Sequence, residues 1–162
     1  MSSYELEKAI WTQEDFKLMG WHDSIIHGIS FSNQPETFEA NLLLDIDYIF
    51  QWVLDEVSQS YSFFVSPCTL IFYEVVDLSM DISFGRLCST EFEIADIHLE
   101  GENQHSDTYK KYSWRIETQR GDISFEAAKF EQYVREYPKH IQSQYFELNE
   151  RNGISFDKKS CF

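Results

Sequence analysis

"AAKFEQYVREY", residues 127–137, decides the fold class of this 162-residue chain. Phe130, Tyr133, Val134 and Tyr137 stand at i, i+3, i+4 and i+7, and Pro138 follows. That spacing lays an apolar stripe along one face of a helix, and a proline ends it. A helix here makes the chain α+β, because nearly everything around it has the pattern of strands.

Just upstream, "YSWRIETQ" (112–119) and "DISFEA" (122–127) flank Arg120-Gly121 and predict a hairpin. "EFEIADIHLE" (91–100) alternates, but its apolar phase slips between Ile94 and Ile97, which predicts a β-bulge near Ala95-Asp96. "VDLSMDISF" (76–84) turns Val76, Leu78, Met80 and Ile82 one way and Asp77, Ser79 and Asp81 the other. In "FFVSPCTLIFYEV" (63–75), Pro67 lacks a donor, so that strand is expected at an edge or broken there. "ETFEANLLLDIDYIF" (36–50) sets Leu42, Leu44, Ile46 and Tyr48 on one face, with Asn41, Leu43, Asp45 and Asp47 on the other. "IIHGISFS" (25–32) is a further strand, and "NQP" (33–35) the turn after it.

At the N-terminal side, "TQEDFKLMG" (12–20) predicts a short helix capped by Thr12 and Asp15, with Gly20 as a left-handed stop. The span "SQYFELNERNGISF" (143–156) predicts a last hairpin turning at Asn152-Gly153. Ile-Ser-Phe occurs at 29–31, 82–84, 123–125 and 154–156, at irregular intervals that fit strand openings rather than a repeat array. The expected architecture is one domain over 1–162. It is α+β and mainly antiparallel sheet, sandwich-like or strongly curved, with a short N-terminal helix and one amphipathic helix near 127–137.

Fourteen Phe, nine Tyr and four Trp supply a ring-filled core. "MSSYELEKAI" lacks a basic patch followed by an apolar run, and no apolar run is long enough for a spanning helix, so a cytoplasmic location is expected. Cys68, Cys88 and Cys161 are odd in number and far apart, which speaks against a disulfide framework. The net charge is −15 and uneven: residues 1–100 hold 18 acidic side chains against three basic ones, and residues 101–162 hold ten of each. Such a chain repels nucleic acid and anionic membrane and attracts a basic protein, although plain solubility explains acidity as well.

No phosphate loop, dinucleotide-binding, hydrolase-elbow or zincin motif is present. The leading expectation is a non-catalytic protein-binding module whose Asp45, Asp47, Asp77, Asp81, Glu91, Glu93 and Asp96 form an acidic patch for a basic partner, with no cofactor. The alternative is a divalent-metal-binding protein or metal-dependent hydrolase centred on His22, Asp23 and His27 in "WHDSIIH", with Asp45, Asp47 and His98 in support. His22 and His27, five apart, fall on opposite faces of a strand and about 140° apart on a helix, a poor spacing for a direct ligand pair. For Asp45 and Asp47 the plainer reading is a wet sheet face, and for Cys68 a small core residue rather than a nucleophile.

"WHDSIIHG" (21–28), "LDIDYIFQW" (44–52), "FFVSPCTLIFYEVVDLSMDI" (63–82), "GDISFEAAKFEQYVR" (121–135) and "RNGISF" (151–156) together resemble a family of small, acidic, uncharacterised bacterial proteins. That resemblance implies no activity and transfers no functional residue. "TLIFYEVVDLSMDI" (69–82) is also similar to the core of immunity proteins from polymorphic-toxin systems. This second likeness implies a protein that binds and blocks a toxin, often a basic nuclease.

Overall fold

The computed structural model describes residues 3–34, 39–85 and 91–162. Pro35, the expected strand start at 36–38, and Cys88 lie outside the described residues. The structure is nearly all antiparallel β, 59% strand and 4% helical, and no helix among the described residues reaches seven residues. Among the described residues nine strands follow in order: β1 (Ile10–Thr12), β2 (Ile25–Gln34), β3 (Glu39–Asp55), β4 (Ser60–Ile82), β5 (Ile94–Gln104), β6 (Lys110–Thr118), β7 (Gly121–Ala127), β8 (Lys129–Val134) and β9 (Lys139–Ile141).

The expected α+β class is therefore wrong, and residues 127–137 are where it fails. Lys129–Val134 within them form β8, and the stretch holds no amphipathic helix. Phe130, Gln132 and Val134 are buried while Lys129, Glu131 and Tyr133 are not, a period of two. The inward residue at the middle of that alternation is polar, and this hid it. Gln132 is fully buried because its Oε1 accepts the indole N–H of Trp21 at 2.8 Å. A satisfied buried amide occupies a core position that a hydrophobic pattern scores as surface.

The N-terminal helix is one short 3-10 segment, Gln13–Leu18. Asp15 accepts the Thr12 backbone N–H at 2.9 Å, as the capping pattern requires. Gly20 is not in the left-handed region; Asp23, with φ 64°, makes the turn instead.

β4 organises the sheet. Its first half pairs with β3 on one side and with β9 and then β8 on the other, and its second half pairs with β7. Glu74 and Asp77 have φ of 56° and 53°, and the β4–β7 register shifts between Val76 and Ser79. Bulged backbone of this kind bends a strand and lets it serve two sheet directions. Pro67 sits inside β4, neither at an edge nor at a break. Its carbonyl accepts from Arg135 N, on the side where β8 ends at Val134 and β9 begins at Lys139. In a strand a residue's N and O face the same way, so the missing donor falls in that gap.

The sheet curls so far that its two ends touch. Residues 92–94 exchange backbone bonds with 23–26: Asp23 N to Ile94 O at 2.9 Å, Ile94 N to Ser24 O at 2.8 Å, and Ile26 N to Phe92 O at 2.8 Å. Inside the curl Trp21, Phe72, Trp114, Phe125 and Phe130 pack with Leu42, Leu44, Ile46, Ile116 and Ile123. Rings meet edge-on or tilted at 4.7–5.8 Å, as for Phe72–Phe125 and Trp21–Phe130. Beside this core a cleft of about 840 Å³ opens between the 3-10 segment, β8 and the inner face of β5–β6.

The sheet carries the expected bulge: the β5–β6 register shifts between Ile94 and Asp96, leaving Ala95 extra. The β6–β7 hairpin also forms as expected, and its glycine is obligatory. Gly121 has φ 129°, and a Cβ there would lie 1.8 Å from the Asp81 carbonyl oxygen.

Candidate functional site

Alternation along β3 sends Leu42, Leu44, Ile46 and Tyr48 into the core and Leu43, Asp45 and Asp47 to the opposite side. That opposite side is not wet. The chain after β9 runs back across it without forming a hairpin, and Asp45 and Asp47 are both 0% exposed. The Asn152-Gly153 turn forms as expected, with φ 60° and 81°, but its flanks are strap rather than strand. Gly28 leaves room for the strap: a Cβ there would meet Ile154 at 2.9 Å and Phe156 at 3.0 Å.

Two arginines neutralise the pair. Asp45 Oδ1 accepts Arg135 Nη2 at 2.7 Å and Arg151 Nη2 at 2.6 Å. Its Oδ2 accepts Arg151 Nη1 at 2.7 Å and Ser155 N at 2.9 Å. A carboxylate has about four lone-pair sites, and all are filled. Asp47 accepts Arg151 Nε at 3.1 Å, Phe146 N at 2.8 Å and His27 Nε2 at 2.8 Å. Burial alone would push the Asp45 carboxyl up, but the hydrogen bonds and charges of Arg151 and Arg135 outweigh it and hold the group below the usual carboxylate range. Arg135 Nη1 also donates to Thr69 Oγ1, which donates to the Asp157 carbonyl at 2.8 Å. This is a fastening: the strap is pegged to the sheet through Arg151.

Asp45 and Asp47 therefore stand apart from the surface carboxylates with which the sequence groups them. The arginines that cover them are 90 to 106 residues away in sequence, beyond any local pattern. One signal was present: Leu43 between Asn41 and Asp45 is an apolar residue on a face taken as solvated.

The "HDSIIH" stretch is divided. His22 is largely exposed, donates from Nδ1 to the Ala95 carbonyl at 3.1 Å, and stacks on Trp52. Asp23 lies 3.5 Å from His22 and accepts Gln144 Nε2 at 3.0 Å. His27 turns elsewhere because it is the bulged residue between Ile26 and Gly28, which aims its ring at Asp47. His98 meets Glu117 at 2.7 Å on the outer face of β5–β6, holding the Glu117 carboxyl below its usual value. Among the described residues, no group of three or more His, Cys, Asp or Glu is placed to hold a metal ion. Cys68 is fully buried, and burial pushes its thiol far up, which suits packing and not nucleophilic attack.

The surface carboxylates gather on the outer face of β4–β7–β6–β5. Register places Asp81 opposite Asp122, Asp122 opposite Glu117, and Glu117 opposite Asp96. Four carboxylates thus form one row across four strands, about 4.8 Å apart per strand. The sequence pattern does not single out Glu117 and Asp122, which lie within residues 101–162, where the charges sum to zero. In the next row Arg115 answers them, 2.5 Å from Glu100, 3.5 Å from Asp122 and 3.8 Å from Glu117. Asp77 is exposed at the β4 bend. Glu91 and Glu93 lead away from the row at Asp96, along the segment that closes the curl. Burial, then Asp23 and Glu91, push the Glu93 carboxyl up, against His22 and Arg120.

Among the described residues no helix is long and apolar enough to cross a membrane. Comparison of the chain with family models, curated proteins and solved structures gave no match.

Proposed function

We propose that this chain is a non-catalytic protein-binding module whose acidic outer face on β4–β7–β6–β5 docks a basic protein. The observation that carries the reading is the row Asp81–Asp122–Glu117–Asp96. Like charges directly opposite each other on neighbouring strands destabilise a sheet by up to about 1 kcal/mol per pair. Three such oppositions lie side by side here; Arg115 and His98 offset the repulsion at Glu117 and Asp122, while Asp81 and Asp96 have no ion pair among the described residues, which leaves the face negative for a basic partner to neutralise. The residues of the patch are Asp77, Asp81, Asp96, Glu117 and Asp122, with Glu91 and Glu93 at its margin; Asp45 and Asp47 serve the fold. The immunity-like reading belongs here too, since "TLIFYEVVDLSMDI" ends in the stretch that carries Asp77 and Asp81. On that reading the partner is a toxin that the patch blocks.

The test is capture from a lysate of the source cell by the wild type and by an Asp81→Asn/Asp96→Asn/Asp122→Asn triple variant, followed by affinity measurement on the identified partner. A basic partner whose affinity falls at least about tenfold between low and high salt, and again in the triple variant, supports the reading. Binding that ignores both salt and the three substitutions overturns it.

A further inference from the structure

Beside the strap lies a cavity of about 330 Å³, lined by Ile25, His27, Glu91, Tyr145, Glu147 and Leu148. Its polar groups are acceptors. Asp47 Oδ2 takes the Phe146 N–H as well as His27 Nε2, so the carboxylate accepts and Nε2 carries the imidazole proton. In the neutral ring the other nitrogen, Nδ1, is then a lone pair. The His27 side chain is nine-tenths buried, and its Nδ1 has no partner among the described residues. Tyr145 spends its hydroxyl proton on Glu91 Oε1 at 2.8 Å, leaving its oxygen as an acceptor. Glu147 lines the same wall with an exposed carboxylate. The local field is negative: the Glu91 hydrogen bond, burial, and the charges of Glu91, Glu147 and Glu93 push Tyr145 up to about 12.

With the His27 ring neutral, the polar side chains named here all offer acceptors to the cavity, which complements a group that offers only donors. The guanidinium of arginine has five N–H donors, no acceptor and a permanent positive charge. The volume is at the low end for a ligand site and is large enough to admit one long side chain. We infer that this cavity receives an arginine side chain of the basic partner, its guanidinium held between Glu91, Glu147 and His27 Nδ1. The inference rests on the reading of the chain as an acidic binder, which names a protein as the source of the arginine. It adds an anchor of the kind that dominates interface energetics: a charged side chain seated in a pocket.

The probe is N-acetyl-arginine-N-methylamide, titrated into the full chain while the His27 ring resonances are followed by NMR. The lysine and citrulline analogues, calcium and zinc are run in parallel. The expected result is a saturable shift with a dissociation constant in the millimolar range, weakened at least about fivefold for lysine and for uncharged citrulline. Glu91→Gln, which retains an acceptor for Tyr145, should weaken binding by a similar factor, and Leu148→Trp should abolish it by filling the cavity. Glu56→Gln, exposed in the turn between β3 and β4, should leave the probe unaffected. No saturable shift, equal response to citrulline, indifference to Glu91→Gln, or a shift with calcium or zinc but not with the arginine probe overturns the inference. The two readings fail separately. A partner that is lost with the Asp81/Asp96/Asp122 variant but ignores Glu91→Gln sinks the pocket alone. A probe that binds to a chain with no salt-sensitive partner sinks the protein-binding module and leaves a guanidinium site.

Discussion

Replacing Arg151 with methionine keeps most of the side chain's length and removes its charge. The variant loses three bonds to fully buried carboxylates, two on Asp45 and one on Asp47, and a fourth to the Gly153 carbonyl at 2.7 Å. Breaking a buried pair by removing one partner costs about 3–5 kcal/mol, because the other charge stays behind without compensation. For a chain of this size that corresponds to a fall of roughly 6–20 °C in Tm. Arg135 remains on Asp45 but reaches only Oδ1, so it cannot cover the loss.

The pH dependence carries the sharper signature. Asp45 is held below its ordinary value, so in the wild type its contribution is present above about pH 4 and is lost as pH falls through the lowered folded-state value. In Arg151→Met the desolvation of Asp45 meets less opposition, and acidification toward pH 4 should narrow the gap between variant and wild type. Denaturant unfolding at pH 7 and at pH 4, with Asp45→Asn and the double variant completing a cycle, measures this. A cost below about 1 kcal/mol at pH 7, or a gap that widens on acidification, would refute the view of Arg151 as the peg.

Gly121→Ala should cost about 2–4 kcal/mol, since it forces a left-handed φ and drives a Cβ into the Asp81 carbonyl; thermal melting reads it directly. Phe130→Ala should cost about 3–5 kcal/mol and Tyr133→Ala under about 1.5, because β8 turns only the first into the core; equal costs would restore the helical stripe. Asp81→Asn should raise stability by up to about 0.5 kcal/mol by relieving the opposition to Asp122, and a loss instead would mean that Asp81 has a structural partner. Cys68 should resist iodoacetamide in the folded protein and react only on unfolding, as mass spectrometry of the alkylated peptides would show.

Alternation and turn chemistry made much of the sheet legible in the sequence. The β6–β7 hairpin, the β5 bulge at Ala95 and the inward set Leu42, Leu44, Ile46 and Tyr48 were all there to read, because each is a local pattern of a few residues. β8 was misread for one reason, the buried Gln132, whose partner Trp21 lies 111 residues away. Pro67 misled in the same way: a missing donor weakens a strand only if a neighbour needs it, and here the neighbour is interrupted. In the site, Asp81 and Asp96 were legible as exposed acids, but Glu117 and Asp122 were not, since a row across strands is made by register. Asp45 and Asp47 look the same as surface acids until the chain that covers them is placed.

The strap also sets a timetable. Asp45 and Asp47 are synthesised about a hundred residues before Arg151, and until that arginine leaves the ribosome the nascent sheet holds two carboxylates on a face meant to be dry. Water, not protein, must solvate them in the meantime. Long-range closure of this kind is slow. The long β3–β4 hairpin is complete early in synthesis yet has to wait, exposing apolar residues to chance neighbours for most of the time the chain is being made. Charge at the strap thus acts as a late latch on folding: the curl closes through residues 23–26 and 92–94, but Asp45 and Asp47 are fully covered only once residue 151 is in place.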